Sequence, residues 1–149
     1  MSNFKLTSPA FNHEELIPRK YTCQGEDVNP ELHIEAVPED TKSLVLIMDD
    51  PDAPIGTWDH WVVYNIDPTI SKIPENSVPP NAMQGRNSWK RNNYGGPCPP
   101  FGTHRYYFKL YALDTVLNLP IKSNKKVVEG AMKGHILAEA VLMGKYKKT

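Results

Sequence analysis

Residues 44–48 read Leu44-Val45-Leu46-Ile47-Met48, a run without a polar side chain. A run this short, rich in branched side chains and followed by Asp49-Asp50-Pro51, predicts a β-strand covered on both faces. Two similar runs of β-branched and aromatic residues lie at 61–66 and 106–113, and residues 32–36 alternate apolar with polar side chains. These patterns predict a mainly β fold.

Fourteen prolines stand between the apolar runs, about twice the usual share of ~5%. A proline inside a strand or helix removes a backbone hydrogen-bond donor, so this placement indicates short strands joined by turns and excludes a helical bundle. Residues 70–93 form the one long irregular segment. Loops of that length are usually functional, and we expect this one to cover a wall of a site.

One helix is predicted near the C-terminus. Ser123 or Asn124 can cap its start, and apolar residues between 127 and 142 fall roughly on one face of a helix. The lysines at 145, 147 and 148 then follow its end as a solvated tail.

The bulk composition excludes several classes of protein. With 149 residues the chain is expected to form a single domain, 1–149. Seventeen basic residues balance seventeen acidic ones, which argues against a nucleic-acid partner. No apolar run approaches the ~20 residues of a membrane span, and the start of the chain lacks the pattern of a signal peptide. We therefore expect a cytoplasmic protein in which Cys23 and Cys98 are free thiols, with a single bridge between them as the alternative, since two cysteines are too few for a disulfide scaffold.

Two histidines follow proline-rich turns and open predicted strands. His60 comes after Asp50-Pro51-Asp52-Ala53-Pro54, and His104 comes after Gly95-Gly96-Pro97-Cys98-Pro99-Pro100. Strand ends that meet at one edge of a sheet make a pocket, where Asp50 can orient an imidazole and glycine amides can face an oxyanion. Dry walls are expected from aromatic and proline side chains, namely Trp58, Trp61, Pro99, Pro100 and Tyr106. The combination predicts a small anion site with a preference for phosphate.

Each piece also has a purely structural explanation. A histidine beside tryptophan is more often a framework residue, Asp-Pro-Asp is common turn chemistry, and Gly-Gly before proline is commonly a tight loop. It is their co-occurrence at several loop-strand junctions that favours a site.

The two motifs, in this order, resemble the phosphatidylethanolamine-binding protein family, also called Raf kinase inhibitor proteins, in its bacterial and archaeal branch. They are Asp50-Pro51-Asp52-Ala53-Pro54 with His60-Trp61, and 95–100 with Gly102-Thr103-His104-Arg105-Tyr106. The resemblance spans essentially the whole chain. It implies a Greek-key-like antiparallel β-sandwich with a C-terminal helix, an anion pocket that accepts phosphate or phosphorylethanolamine, and no cofactor.

Carried across by position, the resemblance implies a ligand pocket of Asp50, His60, Gly96, Cys98, Pro99, Pro100, His104 and Tyr106. Asp52 would sit behind it, in a salt bridge with Arg105 that we expect because alternate strand residues face opposite sides. Cys98 stands where eukaryotic members often have glycine, so its side chain can narrow the pocket or expose a thiol, and we expect it to be a small apolar wall residue.

Three functional hypotheses follow. The leading one is a non-catalytic binding protein for a phosphorylated or otherwise anionic small ligand, with a homodimer as a candidate assembly. The second is a metal-dependent enzyme that uses two histidines and one aspartate. The third is a regulator or inhibitor of a kinase or protease whose pocket reads a phosphorylated or acidic side chain.

Overall fold

The computed structural model describes residues 3–149, and strands dominate that range. A 3₁₀ turn spans Arg19–Tyr21, and α1 spans Lys125–Met132. The strands are β1 (Lys5–Thr7), β2 (Leu32–Glu35), β3 (Ser43–Asp50), β4 (Trp58–Ile66), β5 (Lys72–Ile73), β6 (Met83–Gln84), β7 (Thr103–Leu113) and β8 (Ile136–Lys147). The prediction of a mainly β fold is confirmed.

Two antiparallel sheets form a sandwich. One has the strand order β1-β2-β5, and the other has the order β6-β4-β3-β7-β8. Because β7 returns to pair with β3, the sheet order departs from the chain order, as in a Greek key. The interior between the sheets is apolar, and its side chains include Leu6, Leu32, Ile34, Leu44, Leu46, Met48, Trp61, Val63, Phe108 and Leu110.

The central strand β3 is buried along its whole length. Leu44, Leu46 and Met48 belong to the core between the sheets. Val45 and Ile47 pack in a second cluster with Val128 and Met132 of α1. Alternate side chains of a strand face opposite sides, so the helix covers one face of β3 while the small sheet covers the other. The prediction of a strand covered on both faces is confirmed.

The predicted helix is correct at its start and wrong in its length. Asn124 caps α1, since its side-chain oxygen accepts the Val127 N–H at 3.1 Å. The helix ends at Met132, and Gly134 then takes a φ of +80°, a conformation that suits a turn. Residues 136–147 instead form strand β8, which pairs with nearly all of β7. The apolar spacing resembled a helix face, but hydrogen bonding to the neighbouring strand decides the structure of this segment.

The prolines lie outside every strand of the described chain, as the sequence indicates. Residues 70–93 contain only the two-residue strands β5 and β6, so this segment is the long irregular connection that was predicted. Among residues 3–149, no helix is long and apolar enough to span a bilayer.

Candidate functional site

Asp50 and His104 meet where two neighbouring strands reach the same edge of the larger sheet. Asp50 is the last residue of β3 and His104 is the second residue of β7, and both are buried. Nδ1 of His104 donates to Oδ2 of Asp50 at 2.7 Å, while Oδ1 of Asp50 accepts the Asp52 N–H at 2.7 Å. The carboxylate therefore fixes both the imidazole and the turn after β3.

His60 occupies an irregularity in β4. Met48 pairs with Trp61 and Asp49 pairs with Asp59, which leaves His60 without a partner on β3. A bulge of this kind inserts one extra residue and re-aims a side chain, and bulges are frequent beside active sites. Here the bulge brings the His60 ring to Tyr106 while the next residue, Trp61, still enters the core.

The His60 ring is held on several sides. Nδ1 donates to the Gly95 carbonyl oxygen at 2.7 Å. The rings of Tyr106 and Trp89 stand edge-on to it, with centroids 5.2 and 5.0 Å away. Burial lowers the pKa of His60 below its ordinary value, against the opposing effects of the Gly95 carbonyl and the Asp50 charge. The ring is therefore neutral at pH 7.

Three polar atoms of the pocket face lack partners. Within residues 3–149, neither Nε2 of His60 nor Nε2 of His104 makes a hydrogen bond, and the buried Tyr106 hydroxyl makes none of good geometry, although the Cys98 backbone N–H and the Asp50 carboxylate lie beside it. Burial, with the Asp50 charge beside it, raises the pKa of Tyr106, so the phenol stays protonated and keeps a hydrogen to donate. Buried polar groups are nearly always satisfied, so an unpaired hydroxyl at a cavity is a candidate ligand contact.

The glycine pair before the second motif allows close packing. A Cβ on Gly95 would collide with the Trp89 ring, and one on Gly96 would collide with the Tyr21 carbonyl and the Asp27 carboxylate. The Gly96 N–H donates to Oδ1 of Asp27 at 2.8 Å. The Gly96 amide is thus already occupied, which differs from the predicted role of glycine amides as free anion donors.

A cavity of about 560 Å³ opens at this edge of the sheet. All eight residues predicted for the pocket line it: Asp50, His60, Gly96, Cys98, Pro99, Pro100, His104 and Tyr106. The structure brings these residues together, while their role in binding stays a prediction. Trp58 also lines the cavity, but the predicted wall residue Trp61 does not, because it is buried in the core between the sheets.

Several lining residues were absent from the sequence prediction. They are Cys23, Asp27, Ala53, Pro54, Ile55, Trp89, Arg91, Asn93 and Tyr94. Trp89, Arg91 and Asn93 belong to the irregular segment 70–93, so the prediction that this segment covers one wall is confirmed. No local signal singled out Trp89 within the segment, since its contact with His60 joins residues 29 positions apart.

The prediction of two free thiols is wrong. Cys23 and Cys98 form a disulfide with a Cα–Cα separation of 5.4 Å, and no free cysteine is left in the described chain, residues 3–149. The prediction rested on the expected compartment, whereas the fold places the loop after the 3₁₀ turn against the loop before β7. A hydrogen bond from Cys23 N–H to the Pro97 carbonyl at 3.1 Å joins the same two loops.

Arg105 lies outside the cavity, as alternation along β7 predicts. Its Nε and a terminal nitrogen donate to the two oxygens of Asp52 at 2.9 and 2.7 Å. The guanidinium lowers the pKa of Asp52 to about 2. The predicted salt bridge is confirmed, and it braces the turn behind the pocket.

No group of three or more His, Cys, Asp or Glu side chains in the part of the chain that the structure describes has an arrangement that could hold a metal ion. Both oxygens of Asp50 already accept hydrogen bonds, one from His104 and one from Asp52. The geometry therefore lends no support to the hypothesis of a two-histidine, one-carboxylate metal centre.

Comparisons with known proteins agree with this fold. The sequence profile of the family described as "Phosphatidylethanolamine-binding protein" matches residues 7–147. A UPF0098 protein of the archaeon Methanothermobacter thermautotrophicus is 48% identical over 148 residues, which cover 96% of this chain and 98% of that protein. A UPF0098 protein of Chlamydia trachomatis is 46% identical over 149 residues, covering 97% of this chain and 99% of that protein.

Two solved structures share the architecture. The Chlamydia trachomatis structure CT736, described as a phosphatidylethanolamine-binding protein homologue, has a TM-score of 0.96 and 45% identity and covers both chains completely. Escherichia coli YbcL, described as a member of the mammalian family, has a TM-score of 0.90 and 32% identity over 99% of this chain and 100% of that chain.

The chain therefore belongs to the phosphatidylethanolamine-binding protein family. Its relatives come from both archaea and bacteria.

Proposed function

We propose that the cavity binds a small phosphorylated ligand or a similar anion, and that the protein is a binding module rather than an enzyme. The observation that carries the proposal is the convergence of three unpaired polar groups on one cavity: the Tyr106 hydroxyl and the Nε2 atoms of His60 and His104. Two imidazoles and a phenol can together offer three hydrogen bonds to the oxygens of one phosphate.

Proton uptake is built into this site. The neutral His60 ring donates from Nδ1 to Gly95, so its Nε2 carries a lone pair and can only accept. The same holds for a neutral His104 ring, whose Nδ1 donates to Asp50. A fully ionised phosphate also only accepts. Each ring that donates to a fully ionised phosphate must therefore take up a proton, while the hydroxyl of a phosphate monoanion can serve one of the two Nε2 atoms instead.

The size and lining of the cavity favour an anion with an organic part. A volume of about 560 Å³ falls within the usual range for small-molecule sites and exceeds what a phosphate group fills. Trp58, Trp89, Pro99 and Pro100 line it beside the polar cluster. These apolar walls exclude water and strengthen hydrogen bonds to a charged group.

Phosphorylethanolamine is a suitable probe, and histidine ring NMR is the direct measurement. We expect the ring signals of His60 and His104 to shift on addition of the compound, while those of His33 and His135, which are paired with Glu31 and Asp114, do not. His60→Ala and His104→Ala should each weaken binding by at least roughly tenfold, as loss of a charge-assisted hydrogen bond does. The matched control, His33→Ala, should leave affinity unchanged.

The pH dependence of affinity has a definite sign. The pKa of His60 is lowered in the free protein, and a bound anion raises it by favouring the charged ring. Affinity should therefore fall as pH rises between the free-state and bound-state pKa values of His60, by up to about tenfold per pH unit. Calorimetry from pH 5 to 8 measures this slope, and constant affinity across the range would contradict the proposal.

Regulation of a kinase or protease, implied by the sequence resemblance, stays a prediction, as do the cytoplasmic location and the homodimer.

A further inference from the structure

The disulfide lies in the wall of the pocket. Cys23 follows the 3₁₀ turn Arg19–Tyr21, and Cys98 lies in the loop 95–100, 75 residues away in sequence. Both cysteines line the cavity with His60 and His104. A change in the state of this bond is therefore a change in the site itself.

The bond is also accessible. Cys23 is exposed and Cys98 is half-buried, in contrast to the buried carboxylate and imidazoles beside them. Exchange of a disulfide begins with attack of an external thiolate on an accessible sulfur, and exposed disulfides are the labile class. Cys23, the more exposed of the two residues, is the expected point of attack.

The disulfide holds the second half of the loop that carries the pocket wall. The first half keeps noncovalent ties: Gly96 N–H donates to Asp27, the Tyr94 hydroxyl donates to the Tyr21 carbonyl, and the Pro97 carbonyl accepts from Cys23. Regular pairing resumes at Thr103. Between them, in the described chain, residues 98–102, which include Pro99 and Pro100, are restrained by the covalent bond and by the packing of the buried Pro99.

Loosening of this loop reaches the polar cluster directly. The Gly95 carbonyl fixes the His60 ring, and the Cys98 backbone N–H lies near the Tyr106 hydroxyl. The surviving hydrogen bonds of Gly96 and Tyr94 keep the loop attached, so loss of the disulfide disorders the wall and leaves the sandwich intact.

We propose that Cys23–Cys98 is a redox modification site at which reduction by a dithiol weakens anion binding. One thiolate of the dithiol attacks Sγ of Cys23, which breaks the S–S bond, forms a mixed disulfide and releases Cys98 as a thiolate that takes up a proton. The second thiol of the reductant, after losing its proton, attacks the mixed disulfide and releases Cys23, which is protonated in turn. Two electrons and two protons pass to the protein, and the reductant leaves as its own disulfide.

The proposal rests on the proposed function, so its test carries a readout that does not require a ligand. The oxidised protein is treated with dithiothreitol under native conditions, and thiols are counted by alkylation and mass spectrometry. We expect two thiols per folded chain, and a phosphorylethanolamine affinity lower by roughly three- to tenfold, the cost of re-ordering a short loop segment on binding. Reoxidation should restore the affinity.

A variant and a ligand-free signal complete the experiment. Cys23→Ser should bind like the reduced protein and should not respond to dithiothreitol. In the absence of ligand, the Gly96 amide and His60 ring signals should differ between the oxidised and reduced proteins, while signals of β2 stay constant.

The outcomes separate the two proposals. Equal affinity in both redox states, or a disulfide that opens only on global unfolding, overturns the redox proposal and leaves the anion site standing. If neither state binds phosphorylethanolamine, the proposed function fails for this ligand class, and the redox proposal is decided by the ligand-free signals. Unchanged Gly96 and His60 signals overturn it.

Discussion

The two faces of the larger sheet treat neighbouring carboxylates in opposite ways. On the helix side, buried Asp49 accepts from Lys109 at 3.0 Å and from Lys125 at 3.1 Å, and Asp59 also pairs with Lys125 at 3.1 Å. On the pocket side, the imidazole of His104 is the only potentially charged partner of Asp50 among residues 3–149. Asp49 and Asp50 are neighbours on β3, yet Asp49 pairs with two lysines whereas Asp50 pairs with one imidazole.

This difference separates stability from binding. On the helix side the buried Asp49 carboxylate has two lysines beside it, and burial of Lys125, which alone would lower its pKa, is outweighed by Asp49 and Asp59, so that the pKa is raised. The pocket side keeps unpaired nitrogens and a hydroxyl inside a cavity. Paired charges such as those of Asp49 and Lys125 contribute to the fold, whereas unpaired polar groups that line a cavity are equipped to take a ligand.

The largest expected effect on stability comes from removing Asp49 from the ion cluster on the helix side. Asp49→Ala leaves Lys109 and Lys125 without the carboxylate that they share. Removing one partner of a buried ion pair is destabilising because the other charge then stays buried without an opposite charge beside it. We expect the free energy of unfolding to fall by about 3 kcal/mol. Urea denaturation measures this loss, and phosphorylethanolamine affinity should stay within about twofold of the wild-type value.

The matched control for that variant is Asp114→Ala. Asp114 pairs with His135 at the surface, with both side chains nearly half exposed. Surface pairs contribute about 0–1 kcal/mol, so the control should unfold close to the wild type. A large loss of affinity in Asp49→Ala, without unfolding, would show that the two faces are not independent.

The sequence could predict those features of the two faces that depend on local patterns. The apolar run at 44–48 predicted the central strand with both faces covered, and the spacing of the two proline motifs placed His60 and His104 at strand openings. Alternation along β7 was enough to separate Arg105 from the pocket and pair it with Asp52. Each of these inferences uses residues close together in the chain or the strict period of a strand.

The rest depended on contacts that local patterns do not encode. The bulge at His60 exists only in the register between β3 and β4, and without it simple alternation would put His60 and Trp61 on opposite faces. The Cys23–Cys98 bond joins loops 75 residues apart. The predicted helix ran too far because the apolar spacing of 136–142 fits a helix face, while pairing with β7 made the segment a strand.

The second prediction concerns the pocket side and removes a single hydroxyl group. Tyr106→Phe removes the unpaired hydroxyl and keeps the ring that packs on His60. We expect phosphorylethanolamine affinity to fall by at least roughly tenfold, the usual value of a lost hydrogen bond to a charged group. Stability should be unchanged or slightly higher, because a buried hydroxyl without a partner costs free energy.

Tyr107→Phe is the control for this variant. Tyr107 is the next residue on β7 and faces the opposite side, where its ring lies near Arg105 and Lys109. Calorimetry should give wild-type affinity for Tyr107→Phe. If Tyr106→Phe also binds normally, the unpaired hydroxyl has no part in recognition, and the ligand is held by the histidines alone.

The smallest effect is expected behind the pocket, at the exposed pair of Arg105 and Asp52. Arg105→Lys replaces a fork that contacts both carboxylate oxygens with a single point charge. The pKa of Asp52, about 2 in the wild type, should rise toward its ordinary value of 3.8. A lowered carboxyl pKa stabilises the fold at pH values above the ordinary pKa, and this stabilisation is lost as the pH falls toward 2. The free energy of unfolding of the variant should therefore differ from that of the wild type above pH 4 and converge with it in acid. Carbon-detected NMR of the Asp52 carboxyl measures the shift. Phosphorylethanolamine affinity should not change, and its loss in a folded Arg105→Lys protein would place the guanidinium inside the binding site rather than beneath it.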